Sequence, residues 1–588
     1  MCGILGYVGT RDNAGELAFL GLKKLEYRGY DSWGLSEVSE GRIKITKKIG
    51  KIGSFRPKFS KSTLALGQTR WATHGGVTVR NAHPHLDCLK RLAVVHNGVV
   101  ENYQELKRDL QRKGHKLISE TDTEIIAHLI EEESKHCKQF RLAVSNSFLK
   151  LTGLNAIVVL NASSGELVCV KNGAPLVVGV SDIGMFVASD AIGVLNHTKK
   201  LYFLNDFDVV LLTKENIKIF NAKNNVEKKV RISKVDWDFV EESLNGYSCF
   251  LEKEIFEQPR VLRDISKYNN EKIEGLAKLI SESYGTYLVG CGTASYACLA
   301  GTYLFGLIAK RHLNFAVGSE FNYLVQFITR KSLIIGISQS GETADIIEST
   351  LRAKRKGAKI ASIVNVYGST LYRMSNYSLL IGAGQERAVI STKAFSGQVA
   401  LLLLVAFCLS RDTKEGRNVL SKTISSLEGV LSLKTAKTIK IIAKKLFSAD
   451  HIYIIGRGLS YPVALEGALK IKEGSYIHSE GFPAGELKHG VIALISKGTP
   501  CIVIAPEDET YGATIAAAME IKARGGYIIG VSNRPNEVFD YTITVSDCGF
   551  GSVIPNVAVL QLLAYHLTLA KGNDPDKPRN LAKSVTVK

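Results

Sequence analysis

The second half of this 588-residue chain repeats itself. Tyr287-Leu288-Val289-Gly290-Cys291-Gly292 matches Tyr453-Ile454-Ile455-Gly456-Arg457-Gly458, residues 332–343 lie over 499–510, and 357–365 lie over 525–533, at offsets of 166, 167 and 168 residues. Within each copy, apolar runs of strand length alternate with longer segments of helical spacing, the pattern of a parallel, doubly wound α/β sheet. A period this long is a domain duplication. The copies differ at one loop. The first carries Ser338-Gln339-Ser340-Gly341-Glu342-Thr343 between the apolar run 333–337 and a helical pattern starting at Ala344. Hydroxyls and backbone N–H groups gathered at a helix N-terminus suit a phosphate; an ordinary helix cap is the plainer reading of any one of them. The second copy has Ala505-Pro506-Glu507-Asp508-Glu509 at that place, and acidic side chains repel phosphate. One phosphate site per chain is therefore expected, in the first copy.

Residues 1 to about 235 have a different texture. Short apolar runs at 92–95, 156–160 and 209–212 are separated by turn signals, and 101–113 and 121–133 have helical spacing. The expected division is 2–235, a linker over 236–248, two α/β domains over 249–420 and 421–570, and a tail over 571–588. The N-terminus lacks the basic region of a signal peptide, and the apolar run 399–409 is about half a membrane span. A cytoplasmic protein with no membrane partner is expected. The ten cysteines form no CxxC pair, so neither a disulfide framework nor a zinc site is suggested. The net charge of +19 is spread along the chain with no basic tail, which disfavours nucleic acid and suits an anionic, phosphorylated substrate.

Cys2 becomes the first residue if Met1 is removed. Its α-amine, with a pKa of about 8, then serves as base for its own thiol; a buried, inert cysteine is the bland alternative. Arg70 offers a fork for a carboxylate. Asn97 and Gly98, after a strand, make a plausible oxyanion hole. Residues 120–124, Glu-Thr-Asp-Thr-Glu, supply a carboxylate for an ammonium group. In the second half, Glu466, Lys470 and Glu473 fall at i, i+4 and i+7 on one helical face. An exposed salt-bridge ladder is the ordinary explanation, but the helix is otherwise apolar and follows a Gly-rich strand end, where α/β active sites sit. A carboxylate there suits proton transfer between neighbouring carbons of a sugar.

Met1-Cys2-Gly3-Ile4-Leu5-Gly6, Tyr27-Arg28-Gly29-Tyr30-Asp31-Ser32, Thr69-Arg70-Trp71-Ala72-Thr73-His74-Gly75 and His96-Asn97-Gly98 resemble the N-terminal-nucleophile glutaminase domain, a β-sandwich flanked by helices. The second half resembles a pair of sugar isomerase (SIS) domains. End to end, the combination is similar to the glutamine–fructose-6-phosphate aminotransferase (isomerizing) family. The resemblance implies an enzyme taking glutamine and fructose 6-phosphate to glucosamine 6-phosphate and glutamate, without a metal or other cofactor. By resemblance, Cys2 attacks the glutamine amide and Asn97 and Gly98 hold the oxyanion. Arg70 and Asp122 bind the α-carboxylate and α-ammonium, with Thr73 and His74 nearby and Trp71 on a gating loop. Ser338, Gln339, Ser340, Thr343 and Thr293 hold the sugar phosphate, Ser391 and Lys393 complete the pocket with Glu466, and Lys470 is one of the catalytic residues. Glu473 is the isomerisation base. His489, in 485–490, opens the sugar ring across a subunit interface, which implies at least a homodimer. Lys583, in a tail that by composition looks frayed, forms a Schiff base with the open ketose.

Two departures from the family pattern stand out. The loop 291–296 is one residue longer than usual, leaving open whether Ala294 or Ser295 faces substrate, and Trp33 replaces a small residue near the glutamine site. Two other readings remain: a glutamine-dependent aminotransferase for a different sugar phosphate, and a sugar-phosphate-sensing regulator with vestigial catalytic groups.

Overall fold

The computed structural model describes residues 2–235 and 243–585, so most of the expected linker, 236–242, lies outside the described residues. The chain divides into two compact units, Met1–Glu241 with Ser584–Lys588, and Glu242–Lys583.

The first unit is a sandwich of two antiparallel sheets, one of eight strands and one of seven. Strand Gly3–Gly9 lies in the middle of the larger sheet, between Leu64–Arg70 and Gly184–Ala188. Its side chains alternate between two cores. Ile4 and Val8 meet Val95, Val158 and Cys169 of the other sheet, while Leu5 and Tyr7 turn to Ala18 and Leu22 of helix Ala14–Lys24. The smaller sheet behaves likewise: Ala156 and Val158 face the sandwich interior, whereas Ile157 and Val159 pack under helices Tyr103–Arg112, Glu124–Ser134 and Phe140–Leu149. With both faces of each sheet covered, these antiparallel strands read as continuous apolar runs rather than alternating ones.

The second unit holds two five-stranded parallel sheets of identical topology. Counted in chain order, each runs 2-1-3-4-5. The first is built from Thr286–Gly290, Asn314–Val317, Leu333–Ser338, Lys359–Val364 and Tyr377–Leu380; the second from His451–Gly456, His478–Pro483, Pro500–Ala505, Tyr527–Ser532 and Tyr541–Thr544. The duplication read from the sequence is thus a duplication of fold. In such a sheet the order reverses between its first and third strands, and ligands bind at the carboxyl ends there. In the first copy those ends carry Thr293 and the Ser338 loop.

A stretch of this unit, Gly549–Ala570, is long and apolar enough to cross a membrane, but most of it is buried inside the fold. Its helix, Val553–Ala570, packs on Ser460–Ser475 and Leu433–Leu446. Composition alone misleads about the tail. Asp576 accepts the N–H groups of Phe250 and Leu251 at 3.0 and 2.8 Å, its carbonyl takes Val389 N–H at 3.0 Å, and Asn573 donates to Gly474 O at 3.0 Å. These bonds satisfy the start of helix Phe250–Phe256 and hold residues 573–579 against the unit.

Candidate active site

In the first unit, the Sγ of Cys2 accepts the Trp71 N–H at 3.3 Å and lies 3.6 Å from Trp71 O. The Asn97 amide donates to Cys2 O at 3.0 Å, while Asn97 Oδ1 accepts from Gln68 Nε2 at 3.1 Å. Gln68 also donates to His96 O at 2.8 Å and accepts His96 N–H at 3.1 Å, so a buried amide fixes which way Asn97 points. The His96 ring is held by Thr123 and Asn155 at 3.1 and 2.9 Å. Gly98 has φ +137°, and a Cβ there would sit 2.3 Å from Leu154 O. Only glycine fits this close backbone approach.

Arg70 and Asp122 are both buried. The Arg70 guanidinium donates to the carbonyls of His74, Gly75 and Gly76 at 2.6, 3.1 and 3.2 Å, which folds the 71–76 loop over the strand end. Asp31 braces that loop by accepting Ala72 N–H at 2.8 Å. Asp122 accepts Val100 N–H at 2.8 Å. His74 rests against the Tyr103 ring at 4.7 Å, and Thr73 is exposed on the loop. Trp33 faces away from this site. It belongs to the outer core, 5.5 Å from both Phe19 and Phe55, because its strand places Ser32 and Trp33 on opposite faces. Sequence reading missed Gln68, and it missed Asp190, which pairs with buried Arg28 at 2.6 Å and takes the Tyr27 hydroxyl at 2.9 Å.

In the second unit, Ser338 Oγ and Thr343 Oγ1 are 3.1 Å apart, and Ser338 Oγ accepts Gly341 N–H at 3.0 Å. Ser340 Oγ accepts Glu342 N–H at 3.2 Å, and the Gln339 carbonyl is tied to Asn365 N–H at 3.1 Å. Gly341, at φ +65°, leaves no room for a Cβ, which would meet Ser369 Oγ at 2.1 Å. Helix Ala344–Arg355 follows, and Thr343 makes no side-chain cap to it. The cap explanation of Thr343 therefore fails, and the N–H groups of the first turn face the loop. The second copy differs as expected: Asp508 takes Thr510 N–H and its hydroxyl at 2.8 and 2.6 Å, filling its own loop with a carboxylate. S338A and T343A are each expected to weaken fructose 6-phosphate binding about 10-fold, the loss of one hydrogen bond to a charged group, as measured by calorimetry.

The row on helix Ser460–Ser475 is buried, not an exposed ladder. Lys470 Nζ lies 2.6 Å from Glu473 and 3.4 Å from Glu466, and it donates to Thr293 Oγ1 of the first copy at 2.9 Å. Glu466 and Lys470 are both 0% exposed. Burial, with the charge of Glu473, pushes the Glu466 carboxyl up to about 8 against the pull of Lys470. Burial would lower the Lys470 amine, but the two carboxylates outweigh it and raise it. Because the folded chain holds a Glu466 proton that the unfolded chain releases, this group's contribution is present below about pH 4.5 and lost as pH rises toward 8. E466Q is expected to flatten the fall in melting temperature between these pH values by a few degrees, read by calorimetry.

Lys583 Nζ lies 2.6 Å from Glu386, and both side chains are nearly or fully buried. Burial alone would raise the Glu386 carboxyl; the Lys583 ammonium overcomes it and holds the group down to about 2. Ser391 donates to the same carboxylate at 2.8 Å, and Lys393 pairs with Glu257 at 2.7 Å. Glu254, fully buried beside Glu386, is pushed well above the usual carboxylate range by burial. None of Glu254, Glu257 or Glu386 was legible as a site residue. Ser295 turns its hydroxyl back to Gly292 O at 2.7 Å, so neither it nor the methyl of Ala294 supplies a free polar group. His489 stands apart: it is exposed at the end of the turn Ala484–His489, with no hydrogen-bond partner among the described residues.

The chain matches the SIS domain family over residues 279–407 and 445–568, and the glutamine amidotransferase domain family over 76–196. A protein from Pyrococcus horikoshii named glutamine–fructose-6-phosphate aminotransferase (isomerizing) is 41% identical over 605 aligned residues covering all of both chains. This chain belongs to that family. A relative of the same name from Fusobacterium nucleatum is 39% identical, again over the whole of both chains. Among solved structures, the C-terminal domain of glucosamine-fructose-6-phosphate aminotransferase from Francisella tularensis covers 57% of this family member and 100% of its own chain, at 33% identity and a TM-score of 0.53. The glutamine amidotransferase and SIS assignments therefore hold, and so does the enzymatic class.

Proposed function

We propose that this chain transfers the amide nitrogen of glutamine to fructose 6-phosphate and isomerises the product to glucosamine 6-phosphate. The observation that carries this reading is that one chain holds both a cysteine beside an oriented amide and a buried amine–carboxylate set next to a hydroxyl loop at a sheet's switch point. Nitrogen transfer from an amide to a sugar phosphate uses both.

In the first unit, the Cys2 sulfur attacks the glutamine side-chain carbonyl, with Arg70 and Asp122 gripping the amino-acid end. The Asn97 amide and Gly98 N–H take the developing oxyanion. The C–N bond breaks, the nitrogen leaves as ammonia with a proton relayed by the α-amine, and water hydrolyses the thioester to glutamate. In the second unit, Ser338, Gln339, Ser340, Thr343 and Thr293 anchor the phosphate. Lys583 condenses with the C2 carbonyl of the open ketose, releasing water, and ammonia displaces the lysine from the imine. Glu473 takes a proton from C1 as the imine nitrogen gains one, giving the enaminol; C2 then gains a proton as the C1 hydroxyl loses one, which gives the amino aldose. The domain limits that fit this scheme are 2–235, 249–420 and 421–570, with the tail 571–588 closing the sugar site, of which 586–588 lie outside the described residues. A cytoplasmic location fits these substrates.

Purified protein given glutamine and fructose 6-phosphate is expected to form glutamate and glucosamine 6-phosphate in equal amounts. Glutamate without amino sugar would leave the glutaminase reading and overturn the acceptor.

His489 is exposed and has no hydrogen-bond partner among the described residues, which leaves it available to act in the site of a second subunit of a homodimer. Co-expressed H489A and K583A chains are expected to recover up to about a quarter of wild-type synthesis. Half of randomly paired dimers are mixed, and each has one site with neither defect. If His489 acts within its own chain, the mixture stays as inactive as either parent.

A further inference from the structure

On the glutaminase unit, away from Cys2, four side chains aim one atom each at a common point. Cys88 follows the short strand His85–Leu86, His115 lies just beyond helix Tyr103–Arg112, and His128 and Glu131 are one turn apart on helix Glu124–Ser134. The Nδ1 atoms of His115 and His128 are 3.3 Å apart, and each faces the Cys88 sulfur, at 3.6 and 3.3 Å. Glu131 Oε2 lies 3.3 Å from His115 Nδ1 and 3.4 Å from His128 Nδ1. All four atoms fall within 4.8 Å of one another.

These five separations match the edges of a coordination tetrahedron, and the sixth, Cys88 to Glu131, is within 4.8 Å. Zinc bonds of about 2.0–2.1 Å to nitrogen and oxygen and 2.3 Å to sulfur give edges of about 3.3 to 3.6 Å. Hydrogen bonding alone explains the cluster poorly. Glu131 Oε2 already accepts the Cys88 N–H at 3.1 Å; a proton on both Nδ1 atoms would set two N–H groups face to face at 3.3 Å, and a proton on only one would leave the other nitrogen's lone pair against the carboxylate. A divalent cation at the centre satisfies all four groups at once.

The outer contacts agree. His115 Nε2 meets Glu132 Oε2 at 3.2 Å, and His128 Nε2 faces Glu124 Oε1 at 3.8 Å. A carboxylate bonded behind the imidazole is the usual support of a metal-bound histidine; His115 has it, while Glu124 stands beyond hydrogen-bond range of His128. Glu124 is itself held by the N–H groups of Ile118 and Ser119 at 2.8 and 2.6 Å. Both histidines are buried, while Cys88 is exposed and leaves a way in for an ion.

We propose that Cys88, His115, His128 and Glu131 bind one zinc(II) ion that staples the 88 loop to helix Glu124–Ser134. One thiolate, two imidazoles and one carboxylate are a borderline-soft set that favours zinc over magnesium or calcium. Four protein ligands fill the tetrahedron and leave no open position for water, so the ion is structural. The stapled helix starts two residues after Asp122, and the zinc fixes the frame in which that carboxylate stands. The sequence expectation of no zinc site followed from looking for closely spaced pairs. Here Cys88 precedes His115 by 27 residues and His128 by 40; the His-x-x-Glu spacing of 128 and 131 was the one local sign.

The test uses untagged full-length chain, purified without chelator and again after incubation with zinc chloride and desalting. Elemental analysis is expected to give about one zinc per chain, and C88S/H128A less than about 0.1. Excess chelator should lower the wild-type melting temperature and leave that of the double variant unmoved. If the double variant does not fold, C88S alone decides through cobalt(II). Cobalt-loaded wild type should show a thiolate-to-cobalt charge-transfer band, and C88S should lack it. Wild-type protein that retains no zinc after loading, or a C88S protein with an undiminished charge-transfer band, would overturn the proposal.

Discussion

C2A is expected to lose glutamine hydrolysis by at least about a thousandfold and, with it, glutamine-dependent synthesis. The Ser189 hydroxyl points at Cys2 O, at 3.5 Å, rather than at the sulfur, and an unactivated hydroxyl is a far weaker nucleophile than a thiolate. Asn97 would still face the oxyanion position through its bond to Gln68, and Arg70 and Asp122 keep their places, so glutamine should still bind. The loss should therefore fall on kcat rather than KM. The second unit contains none of the altered atoms, and its melting shift with fructose 6-phosphate should match that of wild type. If C2A still hydrolyses glutamine at more than about a tenth of the wild-type rate, Cys2 is not the nucleophile.

The second large effect is expected at Lys583. Arginine there keeps a cation for Glu386 but cannot form an imine, so K583R separates chemistry from charge. An alanine would confuse the two, because an uncompensated buried carboxylate costs about 3–5 kcal/mol. K583R is expected to lower amino-sugar synthesis at least about a thousandfold while glutamine hydrolysis persists. Borohydride with fructose 6-phosphate should fix the sugar covalently to the wild-type chain, with the adduct on the peptide containing Lys583, and leave K583R unlabelled. An adduct on K583R of equal yield would move the Schiff base to another amine.

Much of this was legible in the sequence because the informative residues stand close together. The Ser338 loop and the 69–75 and 96–98 segments each fit within one loop or strand end, and the Glu466 row lies within about two turns of one helix. The repeat announced the twin sheets before any coordinate, and the switch point then followed from topology. What escaped reading is assembled across long separations. Glu386 becomes a partner of Lys583 only when the tail folds back across 197 residues, and Gln68 orients Asn97 from a neighbouring strand 29 residues away. Trp33 stands in the motif where a small residue near the glutamine site is expected, but strand alternation sends it to the opposite face. The tail from Arg579 looked frayed because what holds its described part is a backbone bond to the Tyr476 hydroxyl and the Lys583–Glu386 pair, whose partners lie far away in sequence and leave no pattern in composition.

The bond from Lys470 to Thr293 has a consequence for how the duplication is kept. Lys470 belongs to one copy and Thr293 to the other, and the hydroxyl-rich loop of the first copy is replaced in the second by an acidic one. Duplication has here produced specialisation without redundancy. A lesion in the hydroxyl loop finds no spare in its twin, and a lesion in the charged helix has no counterpart to cover for it. Neither copy can drift back toward independence without taking the shared chemistry with it.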